Sequence, residues 1–140
     1  MYKENEEEGY YDLYIGSLKQ IYATNLSHFF NGMKNIDSIS FDNLDTSMVT
    51  NMNGMFNGTG YSNTLFTLDL GEKFDTSNVT DMGGMFADTP LKKLILGDTF
   101  KFVESGSENA KLTSAWKRAD GKGKVLCIPC SLAVRYIVCD

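Results

Sequence analysis

The chain has 140 residues, 13 Lys+Arg against 18 Asp+Glu, a net charge of −5 and 42% hydrophobic residues. That length suits one domain, the apolar share is too high for a wholly disordered chain, and the acidic balance lacks the clustered cations that nucleic-acid phosphates demand. No apolar run approaches the roughly 20 residues of a membrane-spanning helix, and the start, Met1-Tyr2-Lys3-Glu4-Asn5-Glu6-Glu7-Glu8, is acidic where an export signal is basic and then apolar. A soluble chain is expected, with no visible export signal, no membrane insertion and no nucleic-acid partner.

Residues 1–12 hold five acids and one Lys, so the first ten residues read as an acidic, disordered N-terminus. From residue 25 onward the dominant signal is a repeat. Asp45-Thr46-Ser47-Met48-Val49-Thr50-Asn51-Met52-Asn53-Gly54-Met55-Phe56 is matched thirty residues later by Asp75-Thr76-Ser77-Asn78-Val79-Thr80-Asp81-Met82-Gly83-Gly84-Met85-Phe86. A weaker copy, Asn25-Leu26-Ser27-His28-Phe29-Phe30, lies twenty-six residues before the first. After each copy comes a second motif with apolar residues at its first, fourth and sixth positions: Ile36/Ile39/Phe41, Leu65/Leu68/Leu70 and Leu91/Leu94/Leu96.

The first motif spaces Val49, Met52 and Met55–Phe56, and likewise Val79, Met82 and Met85–Phe86, as one face of a short helix. Asp45 or Ser47, and Asp75 or Ser77, would cap its start. At this spacing the methionines are better read as core than as an adaptable binding surface. The second motif alternates at its end and is bounded by Gly71 and Gly97, which predicts a strand. The Asn57–Asn63 stretch, longer than Ala87–Pro90 in the next copy, fits a variable turn. One strand and one short helix per 26–30 residues predict an α/β repeat: a short leucine-rich-repeat-like solenoid of about three repeats, with parallel strands and helices behind them.

The two F/L-D-T-S-x-V-T-x-M-x-G-M-F stretches (Leu44–Phe56 and Phe74–Phe86), with the L-x-x-L-x-L strands after them, resemble the repeats of BspA-like leucine-rich-repeat surface proteins of host-associated bacteria. Tyr11–Gly16 with Ile21-Tyr22-Ala23 is similar to the segment that precedes such repeats. Leu96–Phe102 is similar to the exit from them, and Trp116–Gly121 to a short motif that follows. The resemblance implies a cap segment over 11–24, the repeat solenoid over 25–103 and a partly irregular or strand-like flank over 104–140. It also implies a cell-surface or extracellular location and a non-enzymatic role in adhesion to host or neighbouring-cell proteins. A spacer in a longer surface protein and a cytosolic interaction module are the alternatives.

Catalytic chemistry finds no support. The one histidine, His28, stands where the repeat would place Gly or Met, and the recurring Asp45 and Asp75 repeat because a turn repeats. No phosphate-cradling glycine motif occurs, and no cofactor is expected. Cys127-Ile128-Pro129-Cys130 has C-x-x-C spacing, but beyond Cys139 no fourth zinc ligand is near, so these cysteines read as small apolar residues of a strand-like tail. The candidate protein-binding surface is the outward face of the sheet. By register it comprises Asp37, Ser38 and Ser40, then Phe66, Thr67 and Asp69, then Lys92, Lys93 and Ile95. It mixes both charges with one aromatic ring.

Overall fold

The residues of the M-x-G-M-F segments divide their backbone amides between two directions. Met55, Asn57 and Thr59 donate to the carbonyls three residues behind them, those of Met52, Gly54 and Phe56. The amides in between, of Met52, Gly54, Phe56 and Gly58, donate instead to Asp81, Gly83, Met85 and Ala87, thirty residues or so further on. The first copy repeats the arrangement: Phe29, Asn31 and Met33 bond backward, while Leu26, His28, Phe30 and Gly32 bond to Asn51, Asn53, Met55 and Asn57. A helix needs every amide for its own i−4 carbonyl, so a segment that sends half of them elsewhere is not helical.

The computed structural model describes residues 2–4, 9–15, 19–62, 67–103, 116–118, 124–125 and 136–139. Among these there is no helix. The short helices expected within 45–56 and 75–86 are not formed, and the α/β solenoid with a helix per repeat is thereby corrected. Each segment is instead a run of tight turns. Gly54 and Gly84 sit at φ 59° and 60°, and Gly58 at 66°, in the left-handed region that favours glycine and interrupts a right-handed helix. Asn51 Oδ1 and Asp81 Oδ1 accept the amides of Asn53 and Gly83 at 2.9 and 2.8 Å, side-chain turns that compete with helix formation. Asp45 and Asp75 do cap a backbone amide, of Ser47 and Ser77, but at a turn.

Three successive tiers result, built on short strands. These are β1 (Tyr2–Glu4), β2 (Tyr11–Tyr14), β3 (Ile21–Tyr22), β4 (Ile36–Ser40), β5 (Leu44–Asp45), β6 (Thr67–Asp69) and β7 (Lys93–Ile95), followed by β8 (Trp116–Arg118), β9 (Lys124–Val125) and β10 (Tyr136–Cys139). The first tier runs from β3 through its turn segment to β4, the second from β5 to β6, and the third ends in β7. Parallel pairs join β3 to β5 and β6 to β7. On one side β2 pairs parallel with β4 and antiparallel with β1. On the other, β10 pairs antiparallel with β7 and with β8, which pairs with β9. The longer stretch after the second turn segment is pinned where Gly60 and Ser62 donate to the carbonyls of Met33 and Lys34.

The apolar positions of both motifs meet inside. Met52, Met55, Met82, Met85, Leu68 and Leu94 are fully buried, so the repeat methionines are core. Phe30, Phe56 and Phe86, one per tier, stack with centroids 5.3 and 5.7 Å apart and ring planes within 3°. Phe41 meets Phe74 edge-on at 5.4 Å, and Phe74 is followed by Phe100. Buried threonines complete the backbone pairing. The Thr46 hydroxyl donates to the Asp75 carbonyl (2.9 Å) and accepts the Asp75 amide (2.8 Å), standing in for a strand partner, and Thr76 does the same for Lys101. Thr59 and Thr89 donate to the carbonyls of Phe30 and Phe56 in the tier before.

Two substitutions test this packing. Thr46→Val keeps the shape but leaves the Asp75 amide and carbonyl without their partner, and should cost about 1–3 kcal/mol in urea-induced unfolding. Gly97→Ala would bring a Cβ within 2.6 Å of the Gly71 carbonyl oxygen and 2.7 Å of Glu72 Cα, both backbone atoms of the neighbouring tier. It should cost about 1–3 kcal/mol or more by the same measurement.

Candidate functional site

The sheet face follows from strand alternation. In β6 and β7 the register sets Thr67 beside Lys93, Leu68 beside Leu94 and Asp69 beside Ile95. Leu68 and Leu94 point into the core, so the residues on either side of each point outward. Thr67, Asp69 and Lys93 are exposed, as is Lys92 just before β7, and Ile95 is half-buried. Asp69 is oriented by its own turn, its Oδ1 accepting the Gly71 amide at 2.9 Å. One acid, one lysine, a hydroxyl and an aliphatic side chain thus stand on two adjacent strands over an apolar layer, with a second lysine, Lys92, at the entry to β7.

The β4 members sit differently. β4 lies alongside β6 but belongs to the sheet of β1 and β2. Ser38 is exposed and donates its hydroxyl to Asp12 Oδ1 on β2 at 2.6 Å, Ser40 donates to Asp42 Oδ2 at 3.0 Å, and Asp37 is half-buried. The structure therefore brings Thr67, Asp69, Lys93 and Ile95 together and ties Ser38 to the preceding strand. Phe66 lies outside the described residues. The far side of β7 is taken by β10, with Tyr136, Ile137 and Val138 opposite Ile95, Leu94 and Lys93.

The other singled-out residues are structural where they are described. His28 occupies the position of Gly54 and Gly84 at φ 55°. Its ring lies against the next tier, where a Cβ on Gly54 would come within 2.5 Å of Cε1 and Nδ1, and Nδ1 is 3.0 Å from Asn31 Nδ2. Among the described residues no group of three or more His, Cys, Asp or Glu side chains is placed to hold a metal ion. No helix there is long and apolar enough to cross a membrane. Cys127 and Cys130 lie outside the described residues, and Cys139 is described only as backbone at the end of β10.

A second exposed region escaped sequence reasoning. Phe29 is 53% exposed, although the residues at its position in the next two tiers, Met55 and Met85, are fully buried. Met33 is 37% exposed where Thr59 and Thr89 are buried. The signal was present, since two larger apolar residues stand in the first copy where the other copies carry Met and Thr, but only the stacking direction gives it meaning.

These features define a turn-rich β-repeat module, a scaffold held by backbone pairing between tiers and presenting polar outward faces. A family model described as "Mycoplasma protein of unknown function, DUF285" matches residues 13–96, and the chain belongs to that family. No curated protein and no solved structure matches the chain. The match supports a repeat-type domain and does not extend to a leucine-rich repeat.

One carboxylate carries a resolved electrostatic signature. The Ser47 hydroxyl first, and then the Ser47 amide, hydrogen-bond to Asp45 and hold its carboxyl below the usual carboxylate value, against a slight opposing effect of burial. A depressed folded-state value contributes stability above the unfolded value, and that contribution is lost as pH falls through the folded one. Asp45→Asn retains an acceptor oxygen but does not titrate. The stability advantage of the native chain over Asp45→Asn, read from urea midpoints, should therefore be present near neutrality and disappear in acid.

Proposed function

We propose that this chain is a non-enzymatic protein-binding repeat module of a bacterial surface protein, engaging proteins of a host or neighbouring cell. The observation that carries the reading is the outward face of β6 and β7. Thr67, Asp69, Lys93 and Ile95 stand there in fixed register beside fully buried Leu68 and Leu94, with the exposed Lys92 just before β7. Such a face mixes both charges with an aliphatic side chain on exposed strands, which suits the polar, partly apolar surface of another protein better than a small molecule needing enclosure. The similarity of the F/L-D-T-S-x-V-T-x-M-x-G-M-F stretches to BspA-like surface repeats supports the same role and a location at the cell surface. The proposed face extends to Asp37, Ser38 and Ser40 on β4; Phe66, which the sequence also assigns to it, lies outside the described residues.

The test is binding of the labelled chain to intact epithelial cells, read by flow cytometry. Lys92→Glu with Lys93→Glu reverses two exposed charges without touching the core. It should lower apparent affinity roughly tenfold or more while the chain keeps a cooperative thermal unfolding transition. Unchanged binding removes this face as the site. A folded chain that binds no cell-surface protein removes the reading and leaves the repeats as a spacer.

A further inference from the structure

The ladder between tiers runs one way through the M-x-G-M-F part of each turn segment. Over residues 26–32 and 52–58 the donors lie in the earlier tier and the acceptors in the later one, whereas on either side the direction reverses, Thr50, Thr80 and Gly60 donating back to Thr24, Thr50 and Met33. Each turn segment from the second onward therefore has a row of filled carbonyls: Asn51, Asn53, Met55 and Asn57, then Asp81, Gly83, Met85 and Ala87. The homologous row in the first tier is Asn25, Ser27, Phe29 and Asn31. No group among the described residues donates to these four carbonyls. Asn25, Phe29 and Asn31 are exposed and Ser27 is half-buried. Along the same edge lie the exposed Phe29 and Met33, at positions whose counterparts in each later copy (Met55 and Met85, Thr59 and Thr89) are buried.

What could stand ahead of the first tier is constrained by what already does. On the strand side β2 pairs with β4, and β1 continues the sheet beyond it. The row ahead of the first tier thus has a strand and, among the described residues, no turn segment. A second whole copy stacked there would drive its own strands into β2 and β1. The opening accepts a single stretch of backbone beside those strands.

We infer that this edge binds one peptide segment of a partner protein, recognised through backbone amides at every second residue and an apolar side chain laid against Phe29 and Met33. The ligand class is the chemistry that fills the same row inside the protein: an uncharged, Asn- and Gly-rich segment carrying Met or Phe. Backbone pairing supplies the register and the apolar contact the selectivity, as when an extended peptide adds to a sheet edge. This rests on the protein-binding reading above and assigns it a second surface, distinct from the face of β6 and β7.

The probe is a synthetic peptide with the sequence of residues 50–60, whose Met52, Gly54, Phe56 and Gly58 amides fill the equivalent row of the third tier. It is titrated into the full ¹⁵N-labelled chain and followed by amide chemical shifts. Shifts should concentrate on residues 24–33. The same peptide N-methylated at those four positions should bind roughly tenfold or more weakly, because the donors are gone. Phe29→Asp, an exposed substitution, should weaken binding of the unmethylated peptide similarly. No shifts at 24–33, or equal binding of the methylated peptide, overturns the inference. Cell binding sensitive to Lys92→Glu with Lys93→Glu but no peptide binding sinks the edge alone. Peptide binding at 24–33 by a chain that binds no cell-surface protein leaves the edge standing and sinks the surface-display reading.

Discussion

The division of backbone amides in the turn segments is the constraint on which the rest of the structure depends. Buried amides and carbonyls must be paired, and the Met and Phe side chains of these segments are buried except for Phe29 and Met33 at the open edge and Met48 on the surface. Half of the pairing is local, three residues back, and half belongs to the next tier. Neither half suffices alone, so no tier could fold as an isolated unit. The spacing between tiers is then set by hydrogen-bond length, which is why Phe30, Phe56 and Phe86 stack almost face to face instead of adopting the edge-on geometry of Phe41 and Phe74. Where the ladder has no backbone partner to offer, Thr46, Thr76, Thr59 and Thr89 place a hydroxyl in the gap.

Much of this was legible in the sequence, and the part that was not has a clear cause. The repeat, its strands over Thr67–Asp69 and Lys93–Ile95, and the burial of Val49, Met52, Met55 and Phe56 all follow from spacing. The helix did not follow. Apolar residues three apart arise from consecutive turns as readily as from a helical face, because both reverse the chain over three to four residues. Gly54 and Gly84, together with Asn51 and Asp81, carried the opposing signal: left-handed backbone and side-chain turns inside the supposed helix. A period read without its glycines therefore gave the wrong element.

The candidate surfaces divide along the same line. Side-chain alternation around Leu68 and Leu94 was enough to place Thr67, Asp69, Lys93 and Ile95 outward. It could not show that Ser38 is engaged by Asp12, because that bond links β4 to a strand outside the repeat, twenty-six residues earlier. Nor could it show the first-tier edge, where the informative groups are carbonyls. A backbone acceptor carries no residue type, so its availability emerges only once the direction of the ladder is known.

The glycines that open the turns also bear on how the chain ages. Asn31-Gly32, Asn53-Gly54 and Asn57-Gly58 are the sequence pairs most prone to cyclise, the glycine nitrogen attacking the asparagine side-chain carbonyl and expelling ammonia. In each pair that nitrogen is spoken for: Gly32 donates to Asn57 at 2.8 Å, Gly54 to Gly83 at 2.8 Å and Gly58 to Ala87 at 2.9 Å. The contacts that join one tier to the next thus withhold the nucleophile from three deamidation-prone bonds, and chemical longevity of these turns is tied to the stack remaining closed.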